Sequence, residues 1–289
     1  MVNDCLRLYV VALLLLLLVS GCQINPATGQ RQFNVLGEAS EIRLGSEAEP
    51  EFLRDYGGPI PSAGIRAYVS NIGRELANES ERASLPWEFH VVDSSVINAF
   101  ALPGGKVFVT RGLLSKFTSE AELAGVLGHE IGHVTAQHQG QQISRQLVLS
   151  GIMIGIGVAA ETQDEDWLKV LGVGSQVGGT LYLLKFGRDQ ETQADELGVR
   201  YMTRLGYNPV ALIKVMELFR AEQGAGGQME FLSTHPAPQS RIDHLSAYIR
   251  KHHPDFEDLS KYRFEVETYK KVVLSGIAKM PPAKHNSQQ

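Results

Sequence analysis

The sequence predicts an α+β domain that is mostly helical. Two short runs, residues 87–92 and 106–110, are rich in β-branched and aromatic residues, and a Pro-Gly-Gly turn at 103–105 precedes the second run. Apolar residues at helical spacing occupy most of the remaining chain, above all from Ser119 onward. This order favours a small β-sheet followed by a series of packed helices.

The composition is that of a globular domain with a full core. The chain has 289 residues, of which 43% are hydrophobic and 20% are charged. The formal net charge is -5 and the charges form no basic stripe, which argues against nucleic acid as a partner. The two cysteines, Cys5 and Cys22, leave no disulfide framework in the rest of the chain.

Residues 1–21 predict a lipoprotein signal peptide. A short charged start precedes the apolar run 8–19, which is shorter than the roughly 20 residues that a membrane-spanning helix needs. The Val-Ser-Gly-Cys sequence at 19–22 resembles the bacterial lipobox, whose cysteine is acylated and becomes the first mature residue. We therefore expect lipidation of Cys22 and attachment to a membrane. Because Gln23 rather than Asp follows, the expected location is the periplasmic face of the outer membrane if the host is Gram-negative.

The segments next to the signal have simple patterns. Residues 22–35 are polar and predict a lipidated tether. A helix is expected from near Leu36, interrupted or ended near Pro50. A second helix is expected from Ser62 to about Asn78.

Three later helices are expected over residues 187–205, 209–223 and 240–252, the last capped by Ser240. The tail 281–289 is polar and is expected to be mobile, which leaves 36–280 as the folded domain.

The stretch from 120 to 137 predicts a helix that carries His-Glu-Ile-Gly-His at positions 129–133. Because residues four apart share a helix face, the imidazoles of His129 and His133 project toward one point. Zinc hydrolases use three protein ligands and an open position for water, and Glu130 is placed to take a proton from that water. The motif therefore predicts one Zn²⁺ per chain.

Three glycines in the same stretch, at positions 125, 128 and 132, each cost helix stability of roughly 1 kcal/mol relative to alanine. They would let another backbone or a substrate approach the helix closely, and simple tight packing is the alternative reason.

The third zinc ligand has two candidate sources. A downstream histidine at the metzincin spacing would fall on Gln139, so that pattern fails. His138 is rotated by roughly 140° from His133 on a continuous helix, and we expect it to face solvent.

A later acidic segment offers carboxylates instead. Glu191 and Asp195 lie four apart, so Glu191 can bind zinc while Asp195 accepts a hydrogen bond from a ligand histidine. The alternative is a solvated acidic helix face beside Arg188 and Arg200.

The nearly apolar segment 147–160 is too short to span a membrane. It favours a buried helix, or a hairpin with residues 168–184 that touches the membrane or gates the site.

Four motifs together resemble the HtpX and type I CaaX prenyl protease family, in its Oma-like, soluble or lipid-anchored periplasmic branch. The resemblance covers about residues 36–249 and departs from the HtpX-like members in having no full membrane spans. The motifs are His-Glu-Ile-Gly-His at 129–133, Glu-Thr-Gln-Ala-Asp at 191–195, Asn-Ala-Phe-Ala-Leu-Pro-Gly-Gly at 98–105, and Ser-Thr-His-Pro at 233–236 with Arg241.

The resemblance implies a gluzincin-like domain in which an edge strand of the small sheet borders the active-site cleft. It implies Glu191 as the third zinc ligand and Asp195 as the neighbour that orients a ligand histidine. It also implies that an extended substrate adds to the strand at Asn98, Ala99 and Phe100 by main-chain hydrogen bonds.

His235 has two expected roles. It can donate a hydrogen bond to the oxyanion of the tetrahedral intermediate, or it can fold inward and occupy the open position on zinc. Arg241 is then expected to be a structural ion-pair partner.

The function expected from the sequence is a zinc-dependent metalloendopeptidase at the bacterial cell envelope, with Glu130 as general base and acid. Its partners would be unfolded or misassembled envelope polypeptides and, through the lipid anchor, a membrane. One alternative is an envelope chaperone or assembly scaffold with a structural or self-inhibited zinc site, and another is a zinc hydrolase of small molecules.

Overall fold

The computed structural model describes residues 22–157, 185–224, 230–236 and 238–284. Within these residues the domain is mostly helical with two small sheets, which confirms the predicted α+β class. The predicted signal peptide, and residues 158–184 of the predicted hairpin, lie outside the described residues. No helix in the described ranges combines the length and the hydropathy that crossing a membrane requires.

The segment predicted as a tether is instead a hairpin that contacts the domain. Strands β1 (Cys22–Ile24) and β2 (Arg31–Phe33) pair antiparallel. The buried Asn25 donates from its side-chain amide to the Ala136 carbonyl at 3.2 Å, just after the motif helix. Polar residues supply this contact, so their composition resembled that of a free linker.

Helices α1 (Glu38–Asp55) and α2 (Ala63–Asn78) follow the hairpin. Ser62 caps α2 by accepting from the Ile65 amide, in agreement with the predicted start. The expectation of a break near Pro50 is wrong, since α1 continues through that residue.

The central sheet contains β3 (Glu88–Val92), β4 (Ala99–Leu102) and β5 (Lys106–Thr110) in the order β3-β5-β4. Strand β5 is buried along its whole length and pairs parallel with β3 and antiparallel with β4. Strand β4 is therefore an edge strand. A short helix, α3 (Arg111–Leu114), leads from β5 toward the motif helix.

The motif helix α4 (Glu120–Thr135) is buried at every position and is capped by Ser119. It packs against α6 (Arg188–Arg204), and at two of the contact points the α4 residue is a glycine. A Cβ built on Gly128 would lie 3.1 Å from the carbonyl oxygen of Gly198, and one on Gly132 would lie 3.0 Å from that of Ala194. The two glycines therefore let the backbone of α6 approach α4 closely. This is one of the reasons for these glycines that the sequence suggested.

After α4 the chain turns sharply and begins α5 (His138–Gly157). Helices α7 (Val210–Gly224), α8 (Phe231–Thr234) and α9 (Pro238–His252) follow α6. The last begins two residues before the expected cap, so Ser240 lies in its first turn.

Residues 266–277 form a further helical segment that the sequence patterns did not predict: α10 (Val266–Tyr269), a π turn (Lys270–Leu274) and α11 (Ser275–Ile277). Two residues of the predicted mobile tail, Pro281 and Lys284, contact the domain. Arg111 donates to the Pro281 carbonyl at 2.6 Å, and the Lys284 backbone bonds to Asp93 and Ser95.

Candidate metal centre

The motif helix brings His129 and His133 together as the four-residue spacing predicts. Their Nε2 atoms lie 3.1 Å apart, and both side chains are at most 1% exposed. Burial is the main reason why the pKa of His133 lies well below its usual range. A neutral imidazole with a free lone pair is the form that binds a metal ion.

Helix α6 places Glu191 opposite the two imidazoles. Its Oε1 lies 3.5 Å from His133 Nε2, and its Oε2 lies 3.7 Å from His129 Nε2. Burial works to raise the pKa of Glu191, but the neighbouring His235 and Arg241 outweigh it and lower the pKa. Glu191 is therefore an ionised carboxylate in the centre of the group.

His235, the residue that directly follows α8, lies in the same group. Its Nδ1 lies 3.0 Å from Glu191 Oε1 and 3.3 Å from His129 Nε2. Its ring stacks on Phe231, with the two ring centroids 4.3 Å apart. Burial opposes a charge on this ring, yet the two nearby carboxylates, Glu191 and Glu130, raise the pKa of His235.

The donor set fits a zinc ion. One potential ligand atom from each of four buried residues lies within 4.8 Å of the other three, the residues being His129, His133, Glu191 and His235. Two nitrogens bound to one tetrahedral zinc ion are about 3.3 Å apart, close to the observed Nε2 separation. Glu130 Oε1 is buried and accepts no hydrogen bond from the described residues, whereas the buried Glu191 Oε2 has an ion-pair contact with Arg241 at 2.7 Å.

A buried ion pair lies beside His129. Asp195 Oδ1 is 2.9 Å from His129 Nδ1, and both carboxylate oxygens of Asp195 accept from Arg241, at 2.8 and 2.6 Å. Burial favours the neutral acid, but Arg241 and the His129 hydrogen bond hold the pKa of Asp195 well below its usual range. Arg241 also approaches Glu191 Oε2 at 2.7 Å, so one guanidinium links two carboxylates of α6, those of Glu191 and Asp195.

Glu130 is 1% exposed and adjoins the metal-binding group. Burial is the largest influence on its pKa, which is raised. A raised pKa suits a carboxylate that must accept a proton and then release it. The Nε2 atom of His235 lies 3.7 Å from Glu130 Oε1.

The expectation that His138 faces solvent is wrong. Gln137 adopts a left-handed backbone conformation with φ of 58°, so α4 ends and α5 starts in a new direction. This turn carries His138 back toward the site, where its side chain is 0% exposed and Nδ1 lies 2.9 Å from His133 Nδ1. The turn at Gln137 ends the continuous helix on which that expectation depended.

Two of the three predicted edge-strand residues, Asn98 and Phe100, line a cleft next to His235, whereas Ala99 is fully buried and does not line it. Asn98 precedes β4, and its amide nitrogen donates to Tyr56 at 3.1 Å and to Glu230 at 3.3 Å. Its Oδ1 is buried and has no hydrogen-bond partner in the described ranges. The residues that line the cleft are Phe52, Tyr56, Asn98, Phe100, Ala101, Leu102, Gln139, Phe186, Thr234 and His235.

Sequence reasoning missed several residues of the site and its cleft. Tyr56 and Phe186 belong to segments without a motif, and only the fold places them at the cleft. Gln193 had a signal, because it lies between Glu191 and Asp195 in one of the quoted motifs.

A buried His-Glu-x-x-His helix with a facing glutamate on a second helix defines a metallopeptidase. The chain belongs to peptidase family M48, whose family model matches residues 65–249. This match confirms the resemblance found in the motifs.

Curated relatives agree with this membership. The chain is 32% identical to mitochondrial metalloendopeptidase OMA1 of Schizosaccharomyces pombe, over 78% of this chain and 65% of the relative. It is 27% identical to the beta-barrel assembly-enhancing protease of Escherichia coli K12, over 75% of this chain and 45% of that protein. The OMA1 of Saccharomyces cerevisiae is 33% identical over 84% of this chain and 76% of its own length. The chain thus spans from less than half to about three quarters of these relatives.

Proposed function

We propose that this chain is a zinc-dependent metalloendopeptidase that cleaves polypeptides at a bacterial cell envelope. The observation that carries the proposal is the convergence of His129, His133 and Glu191 beside the buried Glu130. The three would hold one zinc ion. Bound zinc would supply positive charge that polarises the scissile carbonyl and the attacking water.

Glu130 performs the proton transfers in this proposal. Its carboxylate takes a proton from the water as the water attacks the carbonyl carbon, and it delivers that proton to the amine that leaves. The raised pKa of Glu130 supports the first half of this task, because it makes the carboxylate a stronger base. Asp195 holds the ring of His129 by accepting from Nδ1, and Arg241 fixes Asp195 from the other side.

An extended substrate would add by main-chain hydrogen bonds to the edge of β4 that pairs with no strand of the described residues. The buried Oδ1 of Asn98 offers an acceptor for a substrate N–H at the start of that strand. The aromatic side chains of Phe52, Tyr56 and Phe100 lie in the same cleft and favour a large apolar substrate residue near the scissile bond.

We place this activity on a membrane surface. The lipobox-like sequence at 19–22 supports acylation of Cys22, and the residue 22 backbone pairs with Phe33 in the docked hairpin. An acyl chain at Cys22 would therefore hold the folded domain close to the lipid. Outer-membrane attachment in a Gram-negative host, and unfolded or misassembled envelope proteins as substrates, complete the proposal. The name of the E. coli relative, a protease that enhances β-barrel assembly, supports such substrates.

The test is digestion of unfolded envelope proteins by the zinc-loaded chain and by its Glu130→Gln variant. We expect the variant to retain zinc and to lose cleavage by at least a factor of about 100, because general acid–base catalysis contributes that much or more. Cleavage that persists in Glu130→Gln, or that survives complete chelation, would overturn the proposed mechanism.

One observation favours a second function, a self-inhibited peptidase that assists assembly as a scaffold. His235 brings a fourth potential ligand to the group, and closed four-ligand zinc sites are typical of structural zinc. A His235→Ala variant separates the roles of this residue. Higher activity indicates that His235 blocks the site, lower activity indicates that it donates to the oxyanion, and unchanged activity excludes both. Full cellular function of Glu130→Gln would favour the scaffold.

A further inference from the structure

The buried His138 and the half-buried Gln193, which lie behind His133, have no part in the mechanism above. His138 Nδ1 lies 2.9 Å from His133 Nδ1, the ring nitrogen that does not face the metal-binding group. The other ring nitrogen of His138, Nε2, lies 3.2 Å from the Gln193 side-chain oxygen. Gln193 is two residues from Glu191, so α6 supplies both a ligand and the end of this chain of hydrogen bonds.

The donor and acceptor roles along this chain follow from its last member. A carboxamide oxygen can only accept, so His138 Nε2 carries the proton and His138 Nδ1 has the lone pair. His133 must then donate from Nδ1. A neutral imidazole carries one ring proton, and His133 Nε2 is therefore unprotonated where it faces His129 Nε2 at 3.1 Å.

We infer that His138 and Gln193 are positioning residues that hold His133 in the tautomer able to bind a metal ion. The inference rests on the proposed metal site for its effect on metal binding. The hydrogen bonds themselves join side chains of this chain and need no metal ion. A reversed chain, with the Gln193 amide nitrogen donating to His138, would place a proton on His133 Nε2. That proton would point into the metal-binding group and would exclude coordination by His133.

The surrounding structure supports a fixed geometry for this relay, the chain of hydrogen bonds from Gln193 through His138 to His133. The Phe186 ring packs against His133, with ring centroids 4.0 Å apart, and against His138 at 6.2 Å. The His138 side chain is 0% exposed, and such burial favours the neutral ring, which keeps the lone pair that the relay needs. The left-handed backbone at Gln137 sets the direction from which His138 approaches.

The first measurement is the zinc dissociation constant, obtained by competition with a chromogenic chelator. We expect Gln193→Leu and His138→Phe to weaken binding by about 10- to 100-fold, the range found when residues that orient metal ligands are removed. Gln193→Glu retains an acceptor and should bind zinc like the unaltered protein. Gln239→Leu, which removes an exposed glutamine of α9, is the matched control. Equal affinities in Gln193→Leu and Gln239→Leu would overturn the inference.

The second measurement needs neither zinc nor activity. In metal-free protein labelled with ¹⁵N at histidine, the imidazole shifts should show His133 protonated at Nδ1 and His138 protonated at Nε2. Gln193→Leu should give a mixture of tautomers for His138, and Gln193→Glu should not. A proton on Nε2 of His133 in the unaltered protein would overturn the inference, whereas failure of that protein to bind zinc would overturn the proposed function instead.

Discussion

His129 and His133 share one helix turn and the same complete burial, yet the groups that orient them differ in charge. His129 Nδ1 faces the carboxylate of Asp195, which is paired with Arg241. His133 Nδ1 faces a neutral imidazole that is bonded to a neutral carboxamide. Removing one member of a buried ion pair leaves an uncompensated buried charge, which is strongly destabilising. Breaking a relay of neutral groups costs only hydrogen bonds. The two sides of the site should therefore respond differently to mutation and to acid.

The largest effect is expected on the His129 side. Asp195→Ala removes one of two carboxylates that neutralise the buried Arg241, and breaking such a pair costs about 3–5 kcal/mol. Urea unfolding of metal-free protein in the presence of a chelator measures this cost. Glu222→Ala, which removes a more exposed pair with Lys116, is the control and should cost about 0–1 kcal/mol. A similar cost for both variants would remove the distinction.

Acid should act first on the His133 side. The folded pKa of His138 is about 4, below the unfolded value of about 6.5, so the unfolded chain binds the proton more readily. The stability linked to this residue is therefore complete above about pH 6.5 and is lost as the pH falls toward 4. Asp195 has a lowered folded pKa, and its contribution is lost only below its unfolded value of about 4.

Unfolding free energies of metal-free protein at pH 7.5 and 4.5 test this order. The unaltered protein should lose of order 3 kcal/mol more than His138→Phe over this interval, by linkage to the single residue. Identical losses in the two proteins would show that His138 is not buried in neutral form.

The smallest effect is expected at neutral pH on the neutral relay. His138→Phe leaves the Nδ1–H of His133 without an acceptor and should cost about 1–3 kcal/mol. Gln193→Leu, at a half-buried position, should cost about 0.5–1.5 kcal/mol. Because both changes break one relay, the double variant should cost less than the sum. Strict additivity in a double-mutant cycle would mean that the two hydrogen bonds act separately.

Local periodicity predicted the parts of the site that lie four residues apart on one helix. The four-residue spacing predicts that His129 and His133 share one helix face and that Glu191 and Asp195 share another. The order of strand-like and helical segments likewise predicted the class of fold. The docked hairpin at 22–33 was missed because its polar residues bond to distant partners, such as the Ala136 carbonyl, that composition does not reveal.

From side-chain chemistry and helical spacing, the sequence by itself predicted His129 and His133 as metal ligands and Glu130 as the carboxylate that moves protons. The prediction of Glu191 as the third ligand came from the family resemblance. The tertiary structure decided how each ligand is oriented. The left-handed backbone at Gln137 turns His138 toward the site. The glycine contacts between α4 and α6 bring Asp195 to His129 and Gln193 to His138. Such contacts depend on the relative directions of the helices, which the periodicity of the sequence does not determine.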